Sequence, residues 1–519
     1  MKNTKTDNRR LIKILKILLI VIVAVFGEVI FLILTKKGNR QSKIKAVKIV
    51  DDLNNRQALV RADQENPIIS SRNNDEGKIN IVNVYGSHSE MGFQYGTAMK
   101  MQLGKALSLL KNYYIEEHGI TYSQLSERAD MFFQRYSYSY KLFIEGIAKS
   151  SGLSITDCKI LNAMETLNSL VSKNGLGHCT FMFIPPKKSL TNTAFIGRNY
   201  DFPPPFDKLA EDLTVTILHE ENKISTAIIS MPGQIYCPSC INSEGLFIEL
   251  NNGQPSGGFV VDYNRETLLI KLLEILQNSE DSFQLYNQLR ATQSDYSLII
   301  NTATSNNSLS FEFSSVLGMK PYIPGSDEVY VSTNYFLNDT WSGIPTPTDN
   351  TTWLGVTRRE NLLKLANAKP YHNITTLKEI MERRIEDGGA LWNYTIYQII
   401  FDQSNLDLYL RSISLNQYWE KISLQKYFNE QKSDKETGNS NDKILLYILL
   451  CLSGLSGLGV SWTLVCCQGC GSLISSGLIV SATKMGFFNK RSEKPYEIIQ
   501  RFDDAEEDRR SKNRKGGGR

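Results

Sequence analysis

Histidine is scarce in this chain: five occur among 519 residues, at positions 88, 118, 178, 219 and 372. No two of them form a His-x-x-x-His pair, and none stands beside a carboxylate cluster with the spacing of metal ligands. The sequence therefore argues against a histidine-rich metal site.

An excess of charge of one sign is also missing. The chain has 58 lysines and arginines against 54 aspartates and glutamates, for a formal net charge of +4. Domains that bind phosphate backbones usually concentrate a strong basic excess on one face, so a nucleic-acid partner is not expected. Eight cysteines are too few for a disulfide scaffold, and half of them fall in one apolar stretch near the C-terminus.

Long apolar runs stand near both ends. Residues 17–34 are flanked by basic residues and are roughly enough to span a bilayer. This run is longer than a usual signal-peptide core and lacks a small-residue cleavage site, which favours a membrane anchor over a cleaved signal peptide. Residues 444–483 suffice for one tilted span or two short ones. We expect an integral membrane protein with its globular domain on one side; basic residues crowd both flanks of the first run, so the side stays open.

These features divide the chain into six parts. They are a basic N-terminus and transmembrane anchor (1–40), a linker (41–79), a globular domain (80–430), a polar linker (431–442), one or more C-terminal transmembrane segments (443–483) and a charged, disordered tail (484–519).

The globular part begins with helical patterns and continues with strands. Ser87 and Glu90 form a capping box that predicts a helix through to about His118, and a second helix is predicted from Ser154. After residue 179 the sequence changes to short β-rich runs, interrupted by helical segments at 266–276 and 358–366. This order predicts an α+β fold in which helices cover the outer faces of sheets.

Cys179 stands in the most informative stretch, Gly177-His178-Cys179-Thr180. Neighbouring residues on a strand point to opposite faces, so His178 is poorly placed to act as the base for Cys179. A papain-like site would need a distant histidine to approach in space, an alternative that the sequence leaves open.

Several separated motifs resemble those of the N-terminal-nucleophile hydrolases, in the group of choloylglycine hydrolases, acid ceramidase-like amidases and isopenicillin N acyltransferase-like proteins. The motifs are the glycine-bounded segment at 86–96, Cys179-Thr180, Arg198-Asn199-Tyr200-Asp201, Asn242-Ser243-Glu244-Gly245-Leu246 and Thr333-Asn334-Tyr335-Phe336. The resemblance covers roughly residues 80 to 425. It implies an αββα sandwich, with two mainly antiparallel sheets between helix layers, and no cofactor or metal.

The same resemblance implies that the chain cleaves itself before Cys179. The helical part, 80–178, would then correspond to a propeptide and 179–430 to the part that carries the nucleophile. The released α-amino group has an ordinary pKa of ~7.7 to 8 and can act as the base, which suits a chain poor in histidine. His178 departs from the family pattern, where small or acidic residues are frequent, and this bears on the efficiency of self-cleavage.

Further site residues are also carried by the resemblance. Arg198 would support the thiolate or the substrate, and Asp201 would orient the new amine. Their spacing places them on opposite faces of an ideal strand, and we expect a bend near Pro203 to bring them together.

Asn242 and Asn334 are the candidates for holding the oxyanion. Arg358 resembles the distal arginine of the choloylglycine hydrolases, although Arg359 competes for that assignment. Outside these motifs, Cys237 and Cys240 favour packed thiols or a local disulfide over zinc, because no further ligands follow at a matching interval.

Taken together, the sequence predicts a membrane-anchored amidase or acyltransferase that attacks a linear non-peptide amide through a Cys179 thioester. The substrate expected beside a membrane is a small amphipathic or lipid-like amide. Two alternatives stay open: a catalytically inactive membrane receptor or scaffold with the same fold, and a papain-like thiol protease. The sequence does not indicate an oligomeric state.

Overall fold

The computed structural model describes residues 79–171, 177–414 and 418–430, all within a compact unit assigned to Pro67–Arg519. Both apolar runs and the charged tail lie outside the described residues, so the membrane segments stay predictions. Within the described ranges, no helix combines the length and apolar character that a bilayer crossing needs.

Helices dominate the first hundred described residues and recur between strands later. In chain order they are α1 (His88–Ala98), α2 (Lys100–Lys111), α3 (Tyr122–Phe133), α4 (Tyr138–Ser151), α5 (Ile155–Asn162), α6 (Met164–Leu167), α7 (Phe206–Leu209), α8 (Gln254–Gly257), α9 (Leu268–Gln277), α10 (Ser282–Arg290), α11 (Asp349–Thr352), α12 (Gly355–Asn367) and α13 (Ile374–Met381).

The strands are β1 (Asn80–Gly86), β2 (Thr180–Ile184), β3 (Phe195–Asp201), β4 (Thr214–Glu220), β5 (Thr226–Ser230), β6 (Ser239–Asn242), β7 (Phe247–Asn252), β8 (Leu298–Ala303), β9 (Ser308–Ser314), β10 (Gly318–Tyr322), β11 (Tyr330–Ser332), β12 (Thr395–Asp402), β13 (Asp407–Ser412) and β14 (Glu420–Ser423).

The strands form two sheets. One has eight strands in the order β1-β4-β5-β6-β7-β8-β9-β10, and the other has six in the order β11-β2-β3-β12-β13-β14. Neighbours pair antiparallel except β1 and β4, which are parallel. Phe181 of β2, Phe247 of β7 and Phe401 of β12 join the sheets through ring contacts. The α+β class with two facing sheets is confirmed.

Helices cover the outer faces of both sheets. Leu362 of α12 and Leu377 of α13 pack with Met182, Ile184 and Phe195 of the six-stranded sheet in one apolar cluster. On the eight-stranded sheet, α9 packs against β6 and buries almost its whole length. The sites that the sequence assigns to β2 and β3 therefore lie in a sheet that is enclosed on both faces.

The predicted helix after Ser87 is present but divided. The capping box between Ser87 and Glu90 forms as predicted and begins α1, whose last turn is followed by a break at Met99. The chain then continues through α2 into a π-helical turn, Asn112–Glu117. Close packing of α1 on α4 requires glycine, because a Cβ at Gly92 would lie 2.1 Å from the carbonyl oxygen of Phe143.

Candidate active site

Cys179 lies immediately before β2, with its side chain buried between the two sheets. Its sulfur accepts a hydrogen bond from Nη2 of Arg198 at 3.4 Å. Burial raises the pKa of the Cys179 thiol to about 11, although the positive charge of Arg198 acts in the opposite direction. In the uncleaved chain the sulfur is therefore a protonated thiol at neutral pH and needs a base before it can attack.

Arg198, in the middle of β3, is fully buried and reaches across to the eight-stranded sheet. It forms an ion pair with Glu249 of β7 and donates to the carbonyl oxygen of Leu250 at 3.0 Å and to Oδ1 of Asn251 at 3.3 Å. A buried cation requires such partners, because desolvation is costly without them. Arg198 therefore lies beside Cys179, as the resemblance implies.

Asp201 ends β3 and turns to the other face of the sheet. Its carboxylate accepts from Oγ1 of Thr395 at 2.6 Å and pairs with Nη1 of Arg358 at 3.1 Å. Burial raises the pKa of Asp201 to about 6, while Arg358 and Thr395 act to lower it. β3 ends at Asp201, and Arg198 and Asp201 both reach the chain around Cys179, as expected. They do so from opposite faces of the sheet, because strand alternation separates the two side chains.

Arg358 is the second fully buried arginine of the site, in the first turns of α12. Its Nη1 donates to the carbonyl oxygens of His178 and Cys179 and to Oγ1 of Thr180, the last two at 3.2 and 2.6 Å. The competing Arg359 is only half-buried and donates to the carbonyl oxygen of Val331. Of the two arginines, Arg358 is the one that contacts the chain around Cys179.

Asn334 joins this group through both ends of its amide. Its Oδ1 accepts from Nη2 of Arg358 at 2.8 Å, and its Nδ2 donates to the carbonyl oxygen of Asn252 at 3.1 Å. Five of the six predicted site residues are thus brought together: Cys179, Arg198, Asp201, Asn334 and Arg358.

Asn242 is the predicted residue that the structure does not bring to this group. Its Nδ2 donates to the carbonyl oxygens of Leu276 and Ser279, and its Oδ1 accepts from the amides of Glu244 and Leu246. The amide is fully used in holding the β6–β7 turn against the end of α9. Its assignment to the oxyanion does not fit this placement, because the group has no donor left to offer.

Asn252, at the end of β7, is a site residue that the sequence analysis missed. It lines the same cavity as Cys179, and its Nδ2 has no hydrogen-bond partner among the described residues. A buried amide donor without a partner is uncommon in proteins. The motif at Asn242 lies ten residues earlier on the same hairpin, and nothing in the local sequence distinguishes the asparagine that caps the turn from the one that reaches the cavity.

The cavity beside the sulfur is narrow and mostly apolar. Its walls include Tyr200, Leu250, Leu269, Tyr296 and Leu298. Glu165 and Thr166 of α6 complete it from the segment that precedes Cys179. Glu165 is buried, accepts from Tyr200 and Gln234, and has a raised pKa because burial outweighs these hydrogen bonds.

All five histidines lie in described residues, and each has ring contacts of its own. His88 pairs with Glu220, His118 contacts Tyr113, His219 stacks on Tyr85 and His372 bonds to Ala366. His178 packs its ring against Trp353 and Trp392, and burial with the nearby charge of Arg358 lowers its pKa to about 3. These placements give a papain-like cysteine–histidine pair no support.

Cys237 and Cys240 form a disulfide, which is one of the two forms that their spacing favours. Among the residues that the structure describes, no group of three or more histidine, cysteine or acidic side chains could hold a metal ion.

Comparison with known proteins gives likeness of structure only, since neither a protein-family model nor a curated protein matches the chain. An N-acylethanolamine-hydrolyzing acid amidase ortholog from Caenorhabditis elegans is 12% identical at a TM-score of 0.35, covering 43% of this chain and 93% of that one. A mutant conjugated bile acid hydrolase from Clostridium perfringens is 11% identical at 0.34, over 48% and 93%. Penicillin V acylase from Agrobacterium tumefaciens is 12% identical at 0.32, over 48% and 86%.

Proposed function

We propose that the chain is an N-terminal-nucleophile cysteine amidase that cleaves itself before Cys179 and then hydrolyses linear, non-peptide amides through a thioester. One observation carries the proposal: the sulfur and the peptide bond before it are surrounded by Arg198, Asp201, Asn334 and Arg358, whereas the imidazole rings contact other groups. A cysteine without an imidazole base can instead use its own α-amino group once the chain has been cut.

Each of these residues then has its own role in the reaction. The free amine of Cys179 takes the thiol proton, and Asp201 and the carbonyl groups nearby orient that amine. Arg198 favours the thiolate, because a cation close to a sulfur lowers its pKa. As the sulfur attacks the substrate carbonyl, the amide donor of Asn252 serves the developing oxyanion. Asn334, whose Nδ2 already donates to the carbonyl oxygens of Gly177 and Asn252, instead positions Arg358. The amine leaves with a proton from the Cys179 ammonium, and water resolves the thioester; an acceptor amine in place of water would make the reaction an acyl transfer.

The cavity supports an apolar substrate. Tyr200, Leu250, Leu269, Tyr296 and Leu298 offer mostly aromatic and aliphatic contacts next to the sulfur. Burial of such surface favours an apolar acyl group by about 25 cal/mol for each Å² removed from water. We extend the proposal to a small amphipathic or lipid-like amide as the substrate. The predicted apolar runs at 17–34 and 444–483 would anchor the enzyme in a membrane, where such an amide is found.

Denaturing electrophoresis of the purified chain tests the proposal. Cleavage before Cys179 gives fragments of 178 and 341 residues, because 519 − 178 = 341. N-terminal sequencing of the larger fragment should begin at cysteine, and Cys179→Ala should stay full length and inactive on an N-acyl amine. Cys158→Ala is the matched control, since Cys158 is the other buried free cysteine of the described residues and should mature normally. An active enzyme with an intact 178–179 bond would contradict the proposal.

A further inference from the structure

His178, the residue on the acyl side of the bond to be cut, is held by two tryptophans. Its ring centroid lies 4.0 Å from that of Trp353 and 5.5 Å from that of Trp392. The side chain is buried, and its Nδ1 has no hydrogen-bond partner within the described ranges. The ring is therefore held by aromatic contact on its faces, together with one hydrogen bond to the backbone of Gly177.

The chain adopts an unusual conformation to place one of these tryptophans. Trp353 and Leu354 are consecutive non-glycine residues with left-handed backbone, at φ values of 54° and 60°. Such a pair is costly unless the surroundings enforce it, and here it joins α11 to α12. The same junction begins the helix that carries Arg358, so the position of the Trp353 ring and the position of the guanidinium are set together.

Arg358 acts on the carbonyl group of the held residue. Its Nη1 donates to the carbonyl oxygen of His178, and its Cζ lies 6.0 Å from the ring centroid of Trp392. In self-cleavage the Cys179 sulfur attacks this carbonyl carbon, so negative charge develops on the oxygen that already faces the guanidinium.

We propose that Trp353 and Trp392 form an aromatic clamp for the side chain of residue 178, which holds the 178–179 peptide bond against Arg358 for self-cleavage. The inference rests on the proposed function and adds a recognition site to it. The clamp accepts a flat, neutral ring such as the imidazole of His178.

Self-cleavage by this route needs no reactant other than water. The sulfur of Cys179 forms a bond to the carbonyl carbon of His178, the bond from that carbon to the Cys179 nitrogen breaks, and the nitrogen takes up the thiol proton. Water then hydrolyses the thioester, giving a carboxylate at residue 178 and a free thiol and amine at Cys179. The clamp and Arg358 fix the geometry of the first bond to form.

The test follows the disappearance of pulse-labelled, full-length chain. His178→Phe keeps a flat, neutral ring and should cleave within about threefold of the wild-type rate, whereas His178→Ala should be at least tenfold slower. Trp392→Ala should slow cleavage as much, and so should Trp353→Asn, which removes the ring but suits left-handed backbone. Trp419→Ala is the control, because Trp419 packs elsewhere, against Lys378 and Glu382, and should cleave like wild type.

The possible results distinguish failure of the clamp from failure of the proposed function. If His178→Ala and Trp392→Ala cleave at the wild-type rate, the clamp is overturned while the proposed function stands. If His178→Phe is slowed as much as His178→Ala, the imidazole itself is required and the clamp is again overturned. An uncleaved wild-type chain overturns the proposed function and the clamp together. Near-ultraviolet circular dichroism of each variant shows whether a slow variant is folded, and His178→Phe gives the decision if His178→Ala is not.

Discussion

Arg198 and Arg358 are both fully buried and both contact Cys179, but they approach it from opposite faces of the six-stranded sheet. Arg198 lies between the sheets, donates to the sulfur and is neutralised by Glu249. Arg358 belongs to the outer helix α12, donates to the backbone carbonyl groups of residues 178 and 179 and is neutralised by Asp201. One cation therefore contacts the proposed nucleophile, and the other contacts the peptide bond that the proposed self-cleavage breaks.

This division follows from strand alternation. Phe181 pairs with Arg198 and Thr180 with Asn199, so the side chains of 179 and 181 share the inner face while those of 178 and 180 share the outer one. Because Cys179 stands at the very start of β2, its backbone is reached from the outer face even though its sulfur is on the inner face. Two arginines can thus contact the same residue from opposite faces without competing for space.

The largest effect should come from Arg358→Met. Loss of the donor to the His178 carbonyl oxygen should slow self-cleavage by about a hundredfold, the usual result of removing one oxyanion donor. The unpaired Asp201 should also lower the free energy of unfolding by about 3–5 kcal/mol. Cleavage is followed on gels and stability by denaturant titration.

Arg359→Met is the matched control for this prediction. Arg359 is its neighbour on the same helix but contacts the Val331 carbonyl oxygen. Cleavage at the wild-type rate in Arg358→Met, or an equal loss in both variants, would break the comparison between the two arginines.

The inner arginine should affect the sulfur more than the peptide bond. Arg198→Met leaves Glu249 buried without its cation, so the variant should lose stability; adding Glu249→Gln should restore most of it. In the folded double variant the pKa of Cys179 should rise, because the cation that lowers it is gone. We expect alkylation of the thiol by iodoacetamide near pH 8 to be at least tenfold slower. A double variant that alkylates as fast as wild type would show that Arg198 does not act on the sulfur.

Asn242 and Asn252, both on the β6–β7 hairpin, should separate activity from stability. Asn252→Ala should lower kcat by about a hundredfold. Its unfolding free energy should fall less than that of Asn242→Ala, because the Asn252 side chain has only the hydrogen bond from the Gln254 amide to lose and its Nδ2 has no partner among the described residues. Asn242→Ala should lose at least about 2 kcal/mol of stability, since it leaves several backbone groups without partners, while kcat of the folded enzyme changes little. The reverse pattern would restore Asn242 to the oxyanion site.

The smallest effect concerns the loop that carries Asn334. Glu312 of β9 accepts from the amides of Leu337 and Asn338 and from Nε1 of Trp341, and Lys320 is the nearby cation. Burial raises the pKa of Glu312 to about 7. A raised pKa means that the folded state binds the Glu312 proton more tightly than the unfolded state does. The stabilisation of the folded state by protonated Glu312 is therefore present below about pH 4.5 and is lost as the pH rises through 7.

Denaturant titrations of the wild type and Glu312→Gln between pH 4.5 and 7.5 measure that contribution. The stability advantage of wild type over the variant should shrink as the pH rises, and other groups such as Asp201 cancel in the difference. A difference that does not change with pH would contradict the assigned pKa.

Much of the fold was predictable because local signals and tertiary structure agree. The capping box at Ser87 begins a helix as predicted, and strands such as β4 and β12 follow residue 179, as the β-rich pattern predicts. The edge strand β1 was missed, because it gains its identity by parallel pairing with β4, more than a hundred residues later in the chain. Pairing at such distance leaves little trace in a local window.

The sequence by itself determined the nucleophile's neighbourhood: Cys179, the Arg198–Asp201 strand, Asn334 and Arg358 stand in motifs whose residue types suit one chemistry. Only the tertiary structure decided that Arg198 and Asp201 point to opposite faces, that Asn252 and not Asn242 lines the cavity, and that two tryptophans contact the ring of His178. The reason is that a sequence motif specifies which groups are available, whereas direction and distance depend on strand register and on helices that pack from far along the chain.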